Sequence, residues 1–230
     1  MNCGVVTFPG SNCNHDMIYA LGKILGQKVT ELWHKDHDTK NCELIVLPGG
    51  FSYGDYLRSG AIARFSPIMK EVIKHAEKGG LVLGICNGFQ ILCEAGLLPG
   101  ALLHNDNQKF ICKNTFLKPI SSSSNITRNI DKNITYKIPI AHGEGRYYAN
   151  EETIDEMFSN NQILFQYCDN NGNVSKSCNP NGSVKNIAGV SNSQQNVMGM
   201  MPHPERAVDS LLGNEDGVPL LNSLLNNVLV

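Results

Sequence analysis

Short apolar runs alternate with longer stretches of helical periodicity along the first hundred positions. The strand-like runs cover 2–8, 28–33, 43–47 and 80–85; the helix-like stretches cover 13–26, 66–78 and 87–96. This alternation predicts a parallel sheet with helices on both faces, an α/β fold. The second half is less regular. Ser121-Ser122-Ser123-Ser124 and the Asn-rich stretches 125–133 and 169–181 mark loops between antiparallel strands, the core resumes near 187–191 and 197–201, and a last helix fits 216–228.

The chain has 230 residues and a net charge of −2, material for a single domain spanning 1–230. No stretch has the length of a membrane span, and the amino terminus opens on strand-like Asn2 to Phe8 with no signal-type region. Nineteen Lys and Arg, spread along the chain, argue against nucleic acid. Eight cysteines without C-x-x-C or metal-finger spacing predict no metal site and a reducing compartment, hence a cytoplasmic protein. The charged stretch His34-Lys35-Asp36-His37-Asp38 has the pattern of a solvated loop after a strand. Neither G-x-x-x-x-G-K-[ST] nor a G-x-G-x-x-G after a strand is present, so ATP-driven chemistry is expected on another chain.

One apolar run ends in Gly84-Ile85-Cys86-Asn87-Gly88 and leads into a helix. A residue at such a strand-to-helix turn is held in strained backbone above the sheet, and its neighbours two positions away must be nearly side-chain-free. Cys86 there faces the free N–H groups of a helix N-terminus, which favour an anionic sulfur. A base is needed, and Pro202-His203-Pro204-Glu205 follows another strand-like run. Residues two apart in an extended segment point the same way, so His203 and Glu205 suit a Cys–His–carboxylate relay. His142-Gly143-Glu144 offers the same spacing, and spacing alone does not choose between the two. Pro48-Gly49-Gly50 ends a third run, where backbone N–H groups of Gly49-Gly50 and Asn87 can meet a developing oxyanion. Gln90 lies one helical turn beyond Cys86 and can hydrogen-bond a polar substrate.

These motifs, taken in order, resemble the class I glutamine amidotransferases. The longer blocks Pro9 to Cys13, Pro48 to Ala63, Leu83 to Gln90, Ala141 to Arg146 and Gly199 to Ala207 narrow the resemblance to the stand-alone glutaminase subunits of phosphoribosylformylglycinamidine synthases, and run nearly end to end. The resemblance implies a flavodoxin-like doubly wound sheet with some added antiparallel strands. It assigns Cys86 as nucleophile, His203 as general base and acid, and Glu205 as orienting carboxylate. It places Gly49, Gly50, Asn87, Gln90 and His142 in substrate binding, with Gly50 and Asn87 giving the oxyanion N–H groups. It further implies glutamine hydrolysis through a glutamyl thioester and no cofactor in this chain. The ammonia is expected to pass to a large ATP- and Mg-dependent synthetase subunit, with a small accessory subunit completing the set. Ser59 stands where some relatives carry Cys, and the Ser/Asn-rich stretches match poorly. Two competing readings share the local chemistry or dispense with it: a self-sufficient cysteine hydrolase, and a scaffolding subunit with no use for the relay.

Overall fold

A computed structural model describes residues 1–121 and 124–225; Ser122, Ser123 and the 226–228 end of the expected last helix lie outside the described residues. The strands are β1 (Asn2–Thr7), β2 (Lys28–Trp33), β3 (Leu44–Leu47), β4 (Leu81–Ile85), β5 (Ala101–Leu103), β6 (Ile111–Pro119), β7 (Tyr136–His142), β8 (Arg146–Tyr148), β9 (Ile163–Cys168), β10 (Ile187–Ser191) and β11 (Val197–Met200). The helices are α1 (Asn14–Ile18), α2 (Pro67–Glu77), α3 (Asn87–Glu94), α4 (Glu151–Ser159) and α5 (Gly217–Leu225), and α1 continues as a wider π-helical turn over Tyr19–Ile24.

Nine strands form one sheet in the order β2-β1-β3-β4-β11-β10-β9-β6-β7. From β2 to β11 every pairing is parallel, and from β11 to β7 every pairing is antiparallel. The inner parallel strands are apolar because they are covered on both faces, all of β3 being buried, as are Cys3–Val6 of β1 and Val82–Ile85 of β4, while the edge strand β2 is mostly open. Helix α2 opens on Pro67, whose missing N–H is spared at the first helical position. The α/β expectation with added antiparallel strands is met.

Three features were not anticipated. The short pair β5 and β8 forms a separate two-stranded sheet, too brief to leave a period in the sequence. Helix α4 was not foreseen either, although Asn150 caps it by accepting from the Thr153 N–H at 2.8 Å. The π-helical stretch falls inside the segment read as a single helix. One continuous core of buried apolar side chains runs under both halves, from Val5 and Leu47 to Ile138 and Phe165. Among the described residues no helix is long and apolar enough to cross a membrane.

This topology builds a site by geometry alone. The four adjacent parallel strands β1, β3, β4 and β11 point the same way, so the segments after them emerge along one edge: Phe8 to Cys13, Pro48 to Gly50, Cys86, and Met201 to Glu205. The carboxyl edge of an open α/β sheet is where ligands bind.

Candidate active site

Cys86 occupies the sharp turn expected of it. Its backbone sits at φ 51 and ψ −105, a conformation that non-glycine residues adopt only when the surroundings impose it. The imposition is visible on either side. A side chain at Gly88 would overlap the Leu47 carbonyl at the end of β3, and one at Gly84 would come within 2.7 Å of the Gly88 backbone. The Cys86 N–H is tied to the Met200 carbonyl of β11 at 2.8 Å, and Gln90 N–H closes the first turn of α3 onto the Cys86 carbonyl at 3.1 Å. Cys86 is 5% exposed, and its sulfur lies 3.7 Å from the Ala141 carbonyl of β7. The edge strand of the antiparallel half thus reaches the Cys86 turn of the parallel half.

His203 and Glu205 come together as their spacing predicts. Nδ1 of the imidazole and Oε1 of the carboxylate are 2.7 Å apart, and both residues are 1% exposed. The His203 N–H donates to the Pro139 carbonyl of β7 at 2.8 Å, which anchors the turn. Nε2 has no partner at hydrogen-bond geometry. Burial opposes a charged ring, yet the charges of Glu205 and Cys86 outweigh it and raise the His203 pKa well above its usual value. A protonated imidazole is therefore the favoured state, with Glu205 fixing its orientation and one nitrogen free to serve a reacting group.

His142-Gly143-Glu144, the competing pair, is built differently. The His142 ring nitrogens face the side chains of Asn105 at 3.1 Å and Asn181 at 3.5 Å, and Glu144 lies elsewhere, accepting from the Ser59 N–H at 3.3 Å. Burial, reinforced by His203, lowers the His142 pKa to about 4, so the ring stays neutral. No hydrogen bond joins His142 to Glu144 among the described contacts, whereas one joins His203 to Glu205.

Two cavities meet at Cys86. One, of about 150 Å³, is walled by Gly50, Asp55, Gln90, His142 and Glu144; the other, of about 230 Å³, by Asn12, Cys13, His203 and Arg206. Gly50, Phe51, Cys86, Phe110 and Ala141 belong to both. Gly50 adopts φ +144, and a side chain there would press on Ser11 and Asn12 at 2.8 Å, so only glycine lets the loop pass this close. Gly49 is backed by the His203 ring and the Cys13 sulfur. Asn87 begins α3, and its side chain accepts from the Ser52 N–H at 3.0 Å while donating to Asp55 at 3.2 Å and Gln90 at 2.9 Å. Gln90 in turn donates to the Glu144 carbonyl at 2.6 Å. Its carboxamide is occupied at both ends, so Gln90 shapes the cavity wall. Every site residue expected from the sequence lies around these two cavities or directly behind them.

Other groups in the site were not singled out. Asp55 is half-buried in the wall, and desolvation raises its carboxyl to about 6. Cys13 lies beside His203, with Arg206 Nη2 donating to its sulfur at 3.0 Å and Nε donating to Asp16 at 3.1 Å. Asp55, Cys13 and Arg206 all fall inside the five long blocks, and block membership was the signal that could have found them. Among the described residues, the stretch His34 to Asp38 enters no cluster with metal-ligand geometry.

Residues 1–216 match the family described as the CobB/CobQ-like glutamine amidotransferase domain. The chain is 55% identical over 224 residues to a protein of Chlorobaculum parvum named phosphoribosylformylglycinamidine synthase subunit PurQ, covering 97% of this chain and 89% of that one. A protein of Salinibacter ruber with the same name is 51% identical over 227 residues, covering 99% and 97%. Among solved structures, a chain of PurLQS from Thermotoga maritima superimposes with a TM-score of 0.87 at 44% identity, covering 99% of both chains. A glutamine amidotransferase of Thermotoga maritima, 14% identical, shares the fold with a TM-score of 0.59, covering 98% of this chain and 96% of that one. With a strained cysteine turn, a buried His–carboxylate pair and end-to-end relatives all in agreement, the chain belongs to the CobB/CobQ-like glutamine amidotransferase family.

Proposed function

We propose that this chain is the glutaminase subunit of a phosphoribosylformylglycinamidine synthase, acting as a single domain over 1–230. It hydrolyses glutamine and hands the ammonia to an ATP-dependent synthetase that converts formylglycinamide ribonucleotide to formylglycinamidine ribonucleotide. The observation that carries the chemistry is that His203, backed by buried Glu205, lines the cavity that Cys86 also lines. The relatives' printed name and the PurLQS assembly support the rest.

In the proposed reaction the Cys86 sulfur, as the anion, attacks the side-chain carboxamide carbon of glutamine and forms a C–S bond. The oxyanion is met by backbone N–H groups at Gly50 and at Asn87, the first residue of α3. The C–N bond breaks as the His203 imidazolium gives its proton to nitrogen, releasing ammonia. Water then attacks the thioester, His203 takes its proton, and glutamate leaves as the sulfur is restored. Glu205 holds the imidazole throughout. Gly49, Gln90 and His142 shape the pocket, His142 as a neutral ring. The chain itself requires no cofactor in this scheme; ATP and Mg belong to the large synthetase, and a small accessory protein completes the assembly. Eight unpaired cysteines suit a reducing, cytoplasmic setting.

Glutamate release from glutamine tests the reading, measured for the chain alone and with the synthetase partners, ATP and ribonucleotide substrate. A partner-dependent rise that vanishes in Cys86→Ala is expected. Full turnover by the chain alone would make it a self-sufficient hydrolase, and no release in either setting would leave Cys86 a structural residue.

A further inference from the structure

Two carboxylates in the wall of the smaller cavity are used by no step of the proposed reaction. Asp55 and Glu144 both border the 150 Å³ space that Cys86 also borders. Asp55 accepts from the Asn87 side chain at 3.2 Å, and Glu144 from the Ser59 N–H at 3.3 Å. A carboxylate has about four acceptor positions, so each keeps capacity for a further donor. No Lys or Arg borders this cavity. Its basic side chains are His104, exposed and 3.6 Å from Glu144, and the neutral ring of His142. Burial, with the charge of Glu144 adding to it, raises Asp55 to about 6 despite hydrogen bonds from Ser59 and Asn87. A cation held against the two acids would offset both effects.

The reaction decides which cavity receives the body of the substrate. His203 borders the other cavity, beside Arg206, and must face the leaving nitrogen. The carbon chain on the far side of the carboxamide then runs into the cavity of Asp55 and Glu144. Its wall suits an ammonium and repels a carboxylate, so the substrate's own carboxylate stays toward the mouth. Both acids are tied to the helix that begins after Cys86: Asn87 donates to Asp55, and Gln90 donates to the Glu144 carbonyl at 2.6 Å. Their distance from the sulfur is thereby fixed by α3.

We propose that Asp55 and Glu144 determine substrate specificity by holding the α-ammonium of glutamine while its carboxamide lies at Cys86. The assignment rests on the glutaminase reading for where the carboxamide sits. Neither acid exchanges a proton with the reacting atoms; they select α-amino amides over amides of the same length without the amine.

The test compares glutamine with 4-carbamoylbutanoate, which has hydrogen in place of the ammonium. Ammonia release by the full chain with its synthetase partners should favour glutamine by roughly 100-fold or more in kcat/KM. Asp55→Asn and Glu144→Gln keep the side-chain shape and remove the charge. Each should lower that preference by roughly tenfold or more, the worth of one hydrogen bond to a charged group, by raising KM for glutamine and leaving 4-carbamoylbutanoate nearly unchanged. A preference that both variants leave intact, or an equal loss on both amides as a purely structural role would give, overturns the proposal. Calorimetric binding to the same assembly carrying Cys86→Ala reads the contact without hydrolysis and without altering either acid. Glutamine should bind there with the same preference; equal affinity for the two amides, or none for either, overturns the assignment. The two failures separate. Preferential glutamine binding in Cys86→Ala with no ammonia released by the unmodified chain sinks the function and leaves the specificity residues standing, whereas ammonia released equally from both amides does the reverse.

Discussion

The two halves of the sheet supply the cleft in different ways. In the parallel half, strand ends do the positioning: β3, β4 and β11 each terminate at a group of the proposed relay or oxyanion pocket, and the backbone ladder fixes their spacing. In the antiparallel half the wall is held by side-chain amides. Asn105 is fully buried and spends both ends of its carboxamide, donating to the Lys109 and His142 carbonyls at 2.8 and 2.9 Å and accepting from the Gly145 N–H at 3.0 Å. Asn181 repeats the device, donating to the Gly145 carbonyl at 2.8 Å. Chemistry thus sits on ladder-held backbone and pocket shape on a buried polar network, and such a network holds only while all of its members are paired.

Substitutions in each half should therefore fail in different ways. The largest effect is expected from Cys86→Ala, which should lower glutamine hydrolysis by about a millionfold, roughly 8 kcal/mol of barrier, with little change in the thermal midpoint. Steady-state glutamate release and thermal unfolding check both parts. Glu205→Gln keeps the shape while removing the charge that orients His203, and should cost about 10⁴-fold in kcat. Gly88→Ala attacks the scaffold instead. Its methyl must displace α3 from β3, so a loss of about 3 kcal/mol or more in denaturant unfolding is expected. On the antiparallel side, Asn105→Ala should cost about 2 kcal/mol and raise KM more than it lowers kcat, because it loosens the wall and leaves the relay. A fall in kcat equal to that of Glu205→Gln would erase the distinction between the halves.

The smallest effect concerns Asp55. Its folded pKa of about 6 lies above the ordinary 3.8, so the fold favours the neutral acid. Below about pH 3 both states are protonated and nothing is lost. As pH rises toward 6 the unfolded carboxyl ionises while the folded one holds its proton, and the resulting penalty is constant above that. Asp55→Asn should therefore match the parent near pH 3 and exceed it by about 1–2 kcal/mol at pH 7.5, the range allowing for water around a half-buried group. Equal stabilities at both pH values would remove Asp55 as a strained wall residue.

Much of the parallel half was legible in the sequence. Runs such as Leu44 to Leu47 and Leu81 to Ile85 are apolar without alternation because both faces are covered, and glycine at 84 and 88 marks the turn that Cys86 needs. The proposed relay was legible as two candidates, His203 with Glu205 and His142 with Glu144, which local spacing does not separate. The resemblance to the amidotransferases chose the first, and the 2.7 Å contact agrees. The rest was hidden for physical reasons. Asn105 and Asn181 look like loop residues because their role depends on partners far along the chain, and β5 and β8 are too short for a period to register. Cys13 gains its meaning only from Arg206 and His203, brought beside it by strand order.

The lack of room at Gly88 bears on how relatives of this chain can be interpreted. Because the glycine is demanded by the Leu47 carbonyl and not by glutamine, a descendant that lost Cys86 and all activity would still be held to glycine at 84 and 88. Retention of that pair across a lineage is therefore a record of how α3 rests on the sheet, and a pseudoenzyme would carry it as faithfully as a working glutaminase.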